Sequence, residues 1–188
     1  RNEENYLLGG STIIALEKAI ENGSDFLLCL HSDGQADPAE IPNFISRAEP
    51  SLDFIFGSRL ERGAGTGEYS SLRLWGNRFF AWLQRRVTGQ AINDIGAYVA
   101  FNLRTVEQLP YWRVPHDMAY QPMLVLYCCR SRAVRFLEFP ITWGKVGHSN
   151  VNPFAYGIKH LARLLGMAAG YFPLRNVERG RFRSQEIF

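Results

Sequence analysis

The chain turns abruptly polar after an apolar run at residues 26–30, reading Leu30-His31-Ser32-Asp33-Gly34-Gln35-Ala36-Asp37-Pro38. Asp33 and Gln35 are oxygen donors separated by one residue, so both can face a single hard cation. Mg2+ and Mn2+ prefer such ligands and commonly share their shell with substrate phosphates. The same residues also fit a turn at Asp33-Gly34 followed by a helix cap at Asp37, and spacing alone does not separate the two readings. Arg73 and Asn77 stand i and i+4 on a predicted helix and leave it from one face. That face is either directed at a ligand or a solvated stripe opposite Leu72, Trp75 and Phe79. Asp94 follows a helix stop at Gly89 and precedes Gly96, which puts a carboxylate on a tight connection, as a functional group or as a turn cap. His31, His116, His148 and His160 lack structural-zinc spacing, and the adjacent Cys128 and Cys129 read as core residues of a helix. Gly9-Gly10-Ser11-Thr12 lacks the lysine of a phosphate-binding loop and reads as a helix cap beside the ligand site.

The elements that must hold these residues alternate along the chain. Ser11 or Thr12 caps a helix carrying Ile13, Leu16 and Ile20, with Gly23 as its stop. Residues 26–30 suit a strand buried on both faces of a parallel sheet. Asp37-Pro38 opens a helix that turns Ile41, Phe44, Ile45 and Ala48 inward. Residues 54–56 form the next strand and lead into Gly57-Ser58-Arg59. A glycine-rich connection at 63–69 precedes a helix over 72–87 with Leu72, Trp75, Phe79 and Leu83 on one face. A strand at 98–101, a helix at 118–129 and a strand at 134–143 follow, and an amphipathic helix over 153–171 ends the pattern. Such alternation predicts an α/β sheet with helices on both faces.

Bulk composition sets the outer limits. With 188 residues, 46% hydrophobic and 21% charged, the chain can bury one sizeable core and is not of disordered type. Three cysteines make no disulfide framework and suit a reducing compartment. The net charge of +3 is concentrated near the end, where six Lys or Arg face the single acid Glu178 over residues 159–183. That cluster fits an anionic membrane surface or a solvated tail better than nucleic acid, because few aromatic side chains interleave it. No run reaches the roughly 18 to 20 uncharged residues of a spanning helix.

The ordered motifs resemble family-2 glycosyltransferases, in particular the polyprenyl-phosphate sugar transferases of the dolichyl-phosphate mannose synthase kind. That family carries an Asp-x-Asp-x-Gln stretch ending in Asp-Pro, then Gly-Ser-Arg, an Arg-rich helix, an Asp before a Gly-aromatic pair and a late Glu-x-Pro-Ile strand. Here those read Asp33-Gly34-Gln35 with Asp37-Pro38, Gly57-Ser58-Arg59, Arg73 through Arg78, Asp94-Ile95-Gly96-Ala97-Tyr98 and Glu138-Phe139-Pro140-Ile141. The resemblance spans roughly residues 9–150, and it is the order that makes the set specific. Two positions depart from it: the first Asp of the metal motif is His31, and the family's late Arg-x-x-Gly-x-Ser-Lys is reduced to Gly144-Lys145-Val146-Gly147-His148-Ser149-Asn150.

The resemblance implies a fold and a function. The fold is α/β, a GT-A-like nucleotide-diphospho-sugar transferase with a mixed sheet flanked by helices. It is incomplete at its N-terminus, where the family's nucleoside-holding strand and loop are expected before Arg1. Residues 1–150 are then the partial catalytic domain, and 151–188 an amphipathic helix with a basic tail. The activity implied is metal-dependent transfer of a sugar from a nucleotide-diphospho-sugar to a polyprenyl-phosphate acceptor. Asp33 and Gln35 hold Mg2+ or Mn2+, while Arg59, Arg73 and Asn77 hold the acceptor phosphate. Lys145 touches the donor diphosphate, and Asp94 acts as base or acceptor-positioning group. Alternatives on the same fold are transfer to a saccharide hydroxyl and a non-catalytic relic or partner subunit. The placement implied is peripheral, at the cytoplasmic face of a membrane, with the segment from Pro153 onward docked on anionic lipid and removable at Asn152 without loss of the folded core.

Overall fold

A computed structural model describes residues 2–31, 35, 37–65, 71–95, 98–144 and 152–182, apart from the side chains of Arg73 and Pro153. Helix α1 (Leu7–Glu21) starts before Ser11 and Thr12, so neither caps it. The Thr12 hydroxyl instead donates to the Leu8 carbonyl inside the helix, at 2.8 Å. Gly9 serves close packing rather than a cap: its N–H donates to the His116 carbonyl at 2.9 Å, and a β-carbon there would lie 2.4 Å from the His116 backbone.

Strands β1 (Phe26–Cys29), β2 (Phe54–Ser58), β3 (Tyr98–Asn102) and β4 (Phe136–Pro140) make one mixed sheet in the order β1-β3-β2-β4. β3 is antiparallel to both β1 and β2, and β2 is parallel to β4, so β1, β2 and β4 all point the same way. The expected parallel setting of β1 is therefore corrected. It is an edge strand beside an antiparallel neighbour, half-buried along its length. Its apolarity on both faces has a plain cause: Leu27 and Cys29 pack against one core, Phe26 and Leu28 against the other.

The larger core joins Phe54, Phe56, Val99 and Phe101 of the sheet to Ile13 and Leu16 of α1, to Val106 of α4 (Leu103–Glu107) and to Met123, Leu124 and Cys128 of α5 (Tyr120–Ser131). The smaller one lies on the opposite face, where Ile55, Tyr98 and Ala100 meet Phe44 of α2 (Ile41–Ile45), Ile141 and Trp143. Helix α2 is shorter than expected and buries Phe44 alone; Ile45 is 70% exposed. A one-turn 3₁₀ segment, Pro38–Glu40, precedes α2, with the Asp37 carboxylate capping the Ala39 N–H at 2.9 Å.

The helix α3 (Ser71–Thr88) faces the opposite way from its expected orientation. Leu72, Trp75 and Phe79 are exposed, whereas Ala81, Gln84 and Val87 are buried. The inner stripe is admissible because the one strongly polar residue in it finds a partner: Gln84 Nε2 lies 3.0 Å from Nε2 of His160 on α6 (Pro153–Ala168).

Helix α6 buries His160, Leu164 and Met167 and leaves Phe154, Ile158 and Leu165 outside. The tail behind it is fastened to the body. Phe172 meets Tyr127 edge-on at 4.6 Å, Arg179 lies over Tyr111 and Trp112 at 5.6 and 5.5 Å, and Phe182 is buried between Tyr6 and His116. Because Leu164, Met167 and Phe182 belong to the larger core, truncation at Asn152 would open that core, contrary to the sequence expectation.

Candidate functional site

Three strands end and one begins at the same edge of the sheet, and ligands of open α/β sheets bind at such an edge. The chain leaves β1 there at Leu30-His31, β2 at Arg59 and β4 at Ile141, and it enters β3 from Asp94-Ile95. Sequence positions 35 apart thereby become partners. Asp94 accepts the Arg59 backbone N–H at 2.9 Å, Arg59 Nε at 2.7 Å on the same oxygen, and an Arg59 terminal nitrogen at 2.8 Å on the other. The pair is nearly dry, with side-chain exposures of 11% and 5%. This fork-on-carboxylate geometry fixes the guanidinium plane, which lies 5.0 Å from the Trp143 ring centroid.

Glu138 on β4 completes the support. Its carboxylate accepts the backbone N–H groups of Asn93 and Asp94, at 2.9 and 2.8 Å, and the Asn93 amide at 3.0 Å. Burial pushes the Glu138 pKa up, and hydrogen bonds from Asn93, Ser58 and Asp94 oppose that without cancelling it. Asn93 also donates to Glu61 at 2.5 Å. A chain of positioning contacts thus runs from Glu138 through the 93–94 connection and Asp94 to Arg59. Sequence reading quoted Glu138 only inside a motif and missed Asn93 and Trp143. The available signal was a carboxylate set between Leu137 and Phe139 on an otherwise apolar strand.

The other predicted residues are placed as follows. The Gln35 carbonyl accepts the Gly144 N–H at 2.7 Å, so the polar cluster after β1 is tied to the segment after β4. His31 meets Trp143 edge-on at 6.2 Å. Asn77 lies on α3, its amide nitrogen buried without an acceptor among the described residues, and the Trp143 indole nitrogen is in the same state. Arg73 stands one turn before Asn77 on the α3 backbone. Asp33 and Lys145 fall outside the described residues, and among those described no group of three His, Cys, Asp or Glu side chains could hold a metal ion. Arg59 and Asp94 are thus joined directly, while no described hydrogen bond links Asn77 to them.

No protein-family model matches the chain. A UDP-N-acetylglucosamine–dolichyl-phosphate N-acetylglucosaminyltransferase of Methanococcus voltae is 36% identical over 62 residues. The match takes in 32% of this chain and 25% of that enzyme, so the chain is compared with only a quarter of its relative's length. Over that segment the chain is similar to a glycosyltransferase.

Proposed function

We propose that this chain belongs to a glycosyltransferase of GT-A-like fold that moves a sugar from a nucleotide-diphospho-sugar to a polyprenyl phosphate. The observation that carries the proposal is the Arg59–Asp94 pair at the carboxyl edge of the sheet. A guanidinium pinned in plane by a carboxylate is preorganised for phosphate oxygens. The same pair favours a phosphate acceptor over a saccharide hydroxyl. A hydroxyl needs a general base, whereas Asp94 is engaged by three Arg59 hydrogen bonds and holds its partner rather than waiting for a proton. A phosphate acceptor is already ionised and needs no base. The buried nitrogens of Asn77 and Trp143, without an acceptor among the described residues, also suit an oxygen-rich ligand. Asn77 and Arg73 would then add to the acceptor-phosphate contacts, and Lys145 would meet the donor diphosphate.

Asp33 and Gln35 fit a divalent ion by the chemistry of their donors, one carboxylate and one amide oxygen. Bound Mg2+ or Mn2+ would neutralise charge on the leaving diphosphate. Asp33→Ala should then abolish metal-dependent donor binding, with Gln35→Ala milder.

The reading extends to the membrane. Trp75, Phe79 and Trp82 stack in a ladder on α3, with ring centroids 6.2 and 6.1 Å apart, and the neighbouring α6 exposes Phe154, Ile158 and Leu165. Arg86 lies over Trp82 at 5.7 Å. Apolar faces edged by cations suit an anionic bilayer surface, where a lipid-linked acceptor is presented. Among the described residues no helix is long and apolar enough to cross a membrane.

The test is sugar transfer to a short-chain polyprenyl phosphate from a panel of nucleotide sugars, with and without Mn2+, using Arg73→Ala alongside. Transfer that needs the ion, with a raised acceptor KM and an unchanged donor KM in the variant, supports the proposal. Transfer only to free saccharides, or equal effects on both substrates, contradicts it.

A further inference from the structure

The turn before α5 and one side of α6 enclose a pocket of about 220 Å3 that uses neither Arg59 nor Asp94. Met118, Ala119, Ala155 and Tyr156 give it an apolar wall; Asp117, Lys159, His160 and Arg163 give it a polar one. The Asp117 carboxylate is already saturated. Arg163 donates to it from both terminal nitrogens, at 3.0 and 2.6 Å, Lys159 at 2.6 Å and the Ala119 N–H at 3.0 Å. Burial alone would raise its pKa, but the Arg163 and Lys159 contacts outweigh burial and hold it well below the usual carboxylate range. A cation finds no open carboxylate here.

What the pocket offers is donors. The Lys159 side chain is 61% exposed and tethered at one point, so its ammonium can turn toward a ligand. His160 is 4% exposed, stacked on Tyr156 at 5.9 Å and edge-on to Phe80 at 5.4 Å. The Gln84 amide nitrogen donates to His160 Nε2, which assigns the proton of the neutral ring to Nδ1. That Nδ1–H is buried and has no acceptor among the described residues. A dry, unanswered N–H beside two cations calls for an anionic oxygen.

We propose that this pocket binds the phosphate group of a phosphate ester, held by Lys159, Arg163 and the Nδ1–H of His160, with Tyr156 and Met118 against the attached carbon skeleton. The volume lies below the roughly 300 Å3 at which sites for drug-sized ligands begin, so it takes a headgroup and not a nucleotide sugar. A phospholipid headgroup and a small free phosphate share this chemistry, and two probes tell them apart.

The intact chain is titrated with inorganic phosphate and, separately, with dihexanoyl phosphatidic acid below its micelle concentration, following heat and the imidazole signals of His160. Saturable binding that moves the His160 Nδ1–H resonance is expected, weakened at least tenfold by Lys159→Gln, a change on a largely exposed side chain. Tighter binding of the lipid assigns the site to a headgroup, and equal binding assigns it to small phosphates. The proposal is overturned if neither probe binds, if binding leaves the His160 signal in place, or if Lys159→Gln makes no difference.

Discussion

Two ends of one sheet are fastened by different kinds of charge pairing. At the amino end of β2, Asp53 accepts the Thr105 hydroxyl at 2.6 Å, the Arg135 N–H at 2.8 Å and the Arg132 guanidinium, while its own N–H donates to the Arg135 carbonyl at 2.7 Å. One carboxylate meets one guanidinium plus main chain, and the elements joined are all scaffold. At the other end the described contacts gather three carboxylates, Asp94, Glu138 and Glu61, around Asn93 and the single guanidinium of Arg59. A balanced pair works as a clasp. A surplus of carboxylate, buried at Asp94 and half-buried at Glu138 and Glu61, with one pKa raised by burial, is more costly than a scaffold needs, and it coincides with the proposed site.

Breaking one carboxylate at each end gives the largest expected contrast. Asp94→Ala strands Arg59 in a dry setting and should cost about 3–5 kcal/mol in urea unfolding. Asp53→Ala releases an Arg132 side chain that is 34% exposed and can reach water, so about 1–3 kcal/mol is expected. Equal losses would remove the distinction between clasp and site.

Acidification gives the next effect. Burial, with the Arg163 charge adding to it, holds His160 of α6 at a pKa of about 4, against an ordinary 6.5. Between those values the unfolded chain binds the proton and the folded chain does not. Stability is therefore complete above pH 6.5 and declines as pH falls toward 4, by about 3 kcal/mol in full. His160→Gln should flatten that decline, measured as urea midpoints across the interval.

Glu138 has the opposite sign. Its folded pKa lies above the ordinary 4.5, so its ionisation costs stability as pH rises from about 4.5 through the folded value. Glu138→Gln replaces one of the two oxygens that accept from Asn93 and Asp94 and should cost about 1–3 kcal/mol at low pH, with the deficit shrinking as pH rises. A deficit that grows with pH would contradict the assignment of burial as the ruling cause. The smallest expected effect on stability is at the exposed ladder. Trp75→Ser and Trp82→Ser should change unfolding by no more than about 0.5 kcal/mol, yet release the protein from anionic vesicles in co-sedimentation.

Much of the scaffold was legible in the sequence, because alternation and punctuation are local signals. The strand expected at residues 54–56, the Asp37 cap and the extent of α3 follow from runs, caps and stops read within a few residues. Strand direction was not legible: whether β1 lies parallel or antiparallel to its neighbour depends on β3, whose paired residues lie 70 to 76 positions away. The facing of α3 was misread for a similar reason. Its aromatic stripe outscores its inner stripe in apolarity, and the side that is buried is decided by tertiary contacts such as Gln84–His160 across 76 residues. At the site, Arg59 and Asp94 carry recognisable local motifs, but their pairing is tertiary. Glu138 stood in a quoted motif on an apolar strand, but its work was not legible, because the main-chain N–H groups it holds lie 44 and 45 residues upstream.

The central claim is that the carboxyl end of the sheet binds phosphate and the amino end does not. The direct measurement is the affinity of a short-chain polyprenyl phosphate for the wild-type chain, Arg59→Lys and Arg132→Lys, with folding checked in each. A lost charge-assisted contact of about 1.5–3 kcal/mol corresponds to a loss of roughly 10-fold or more. That loss is predicted for Arg59→Lys, with Arg132→Lys indistinguishable from wild type. Unchanged affinity in Arg59→Lys, or the same loss in both variants, would contradict the account.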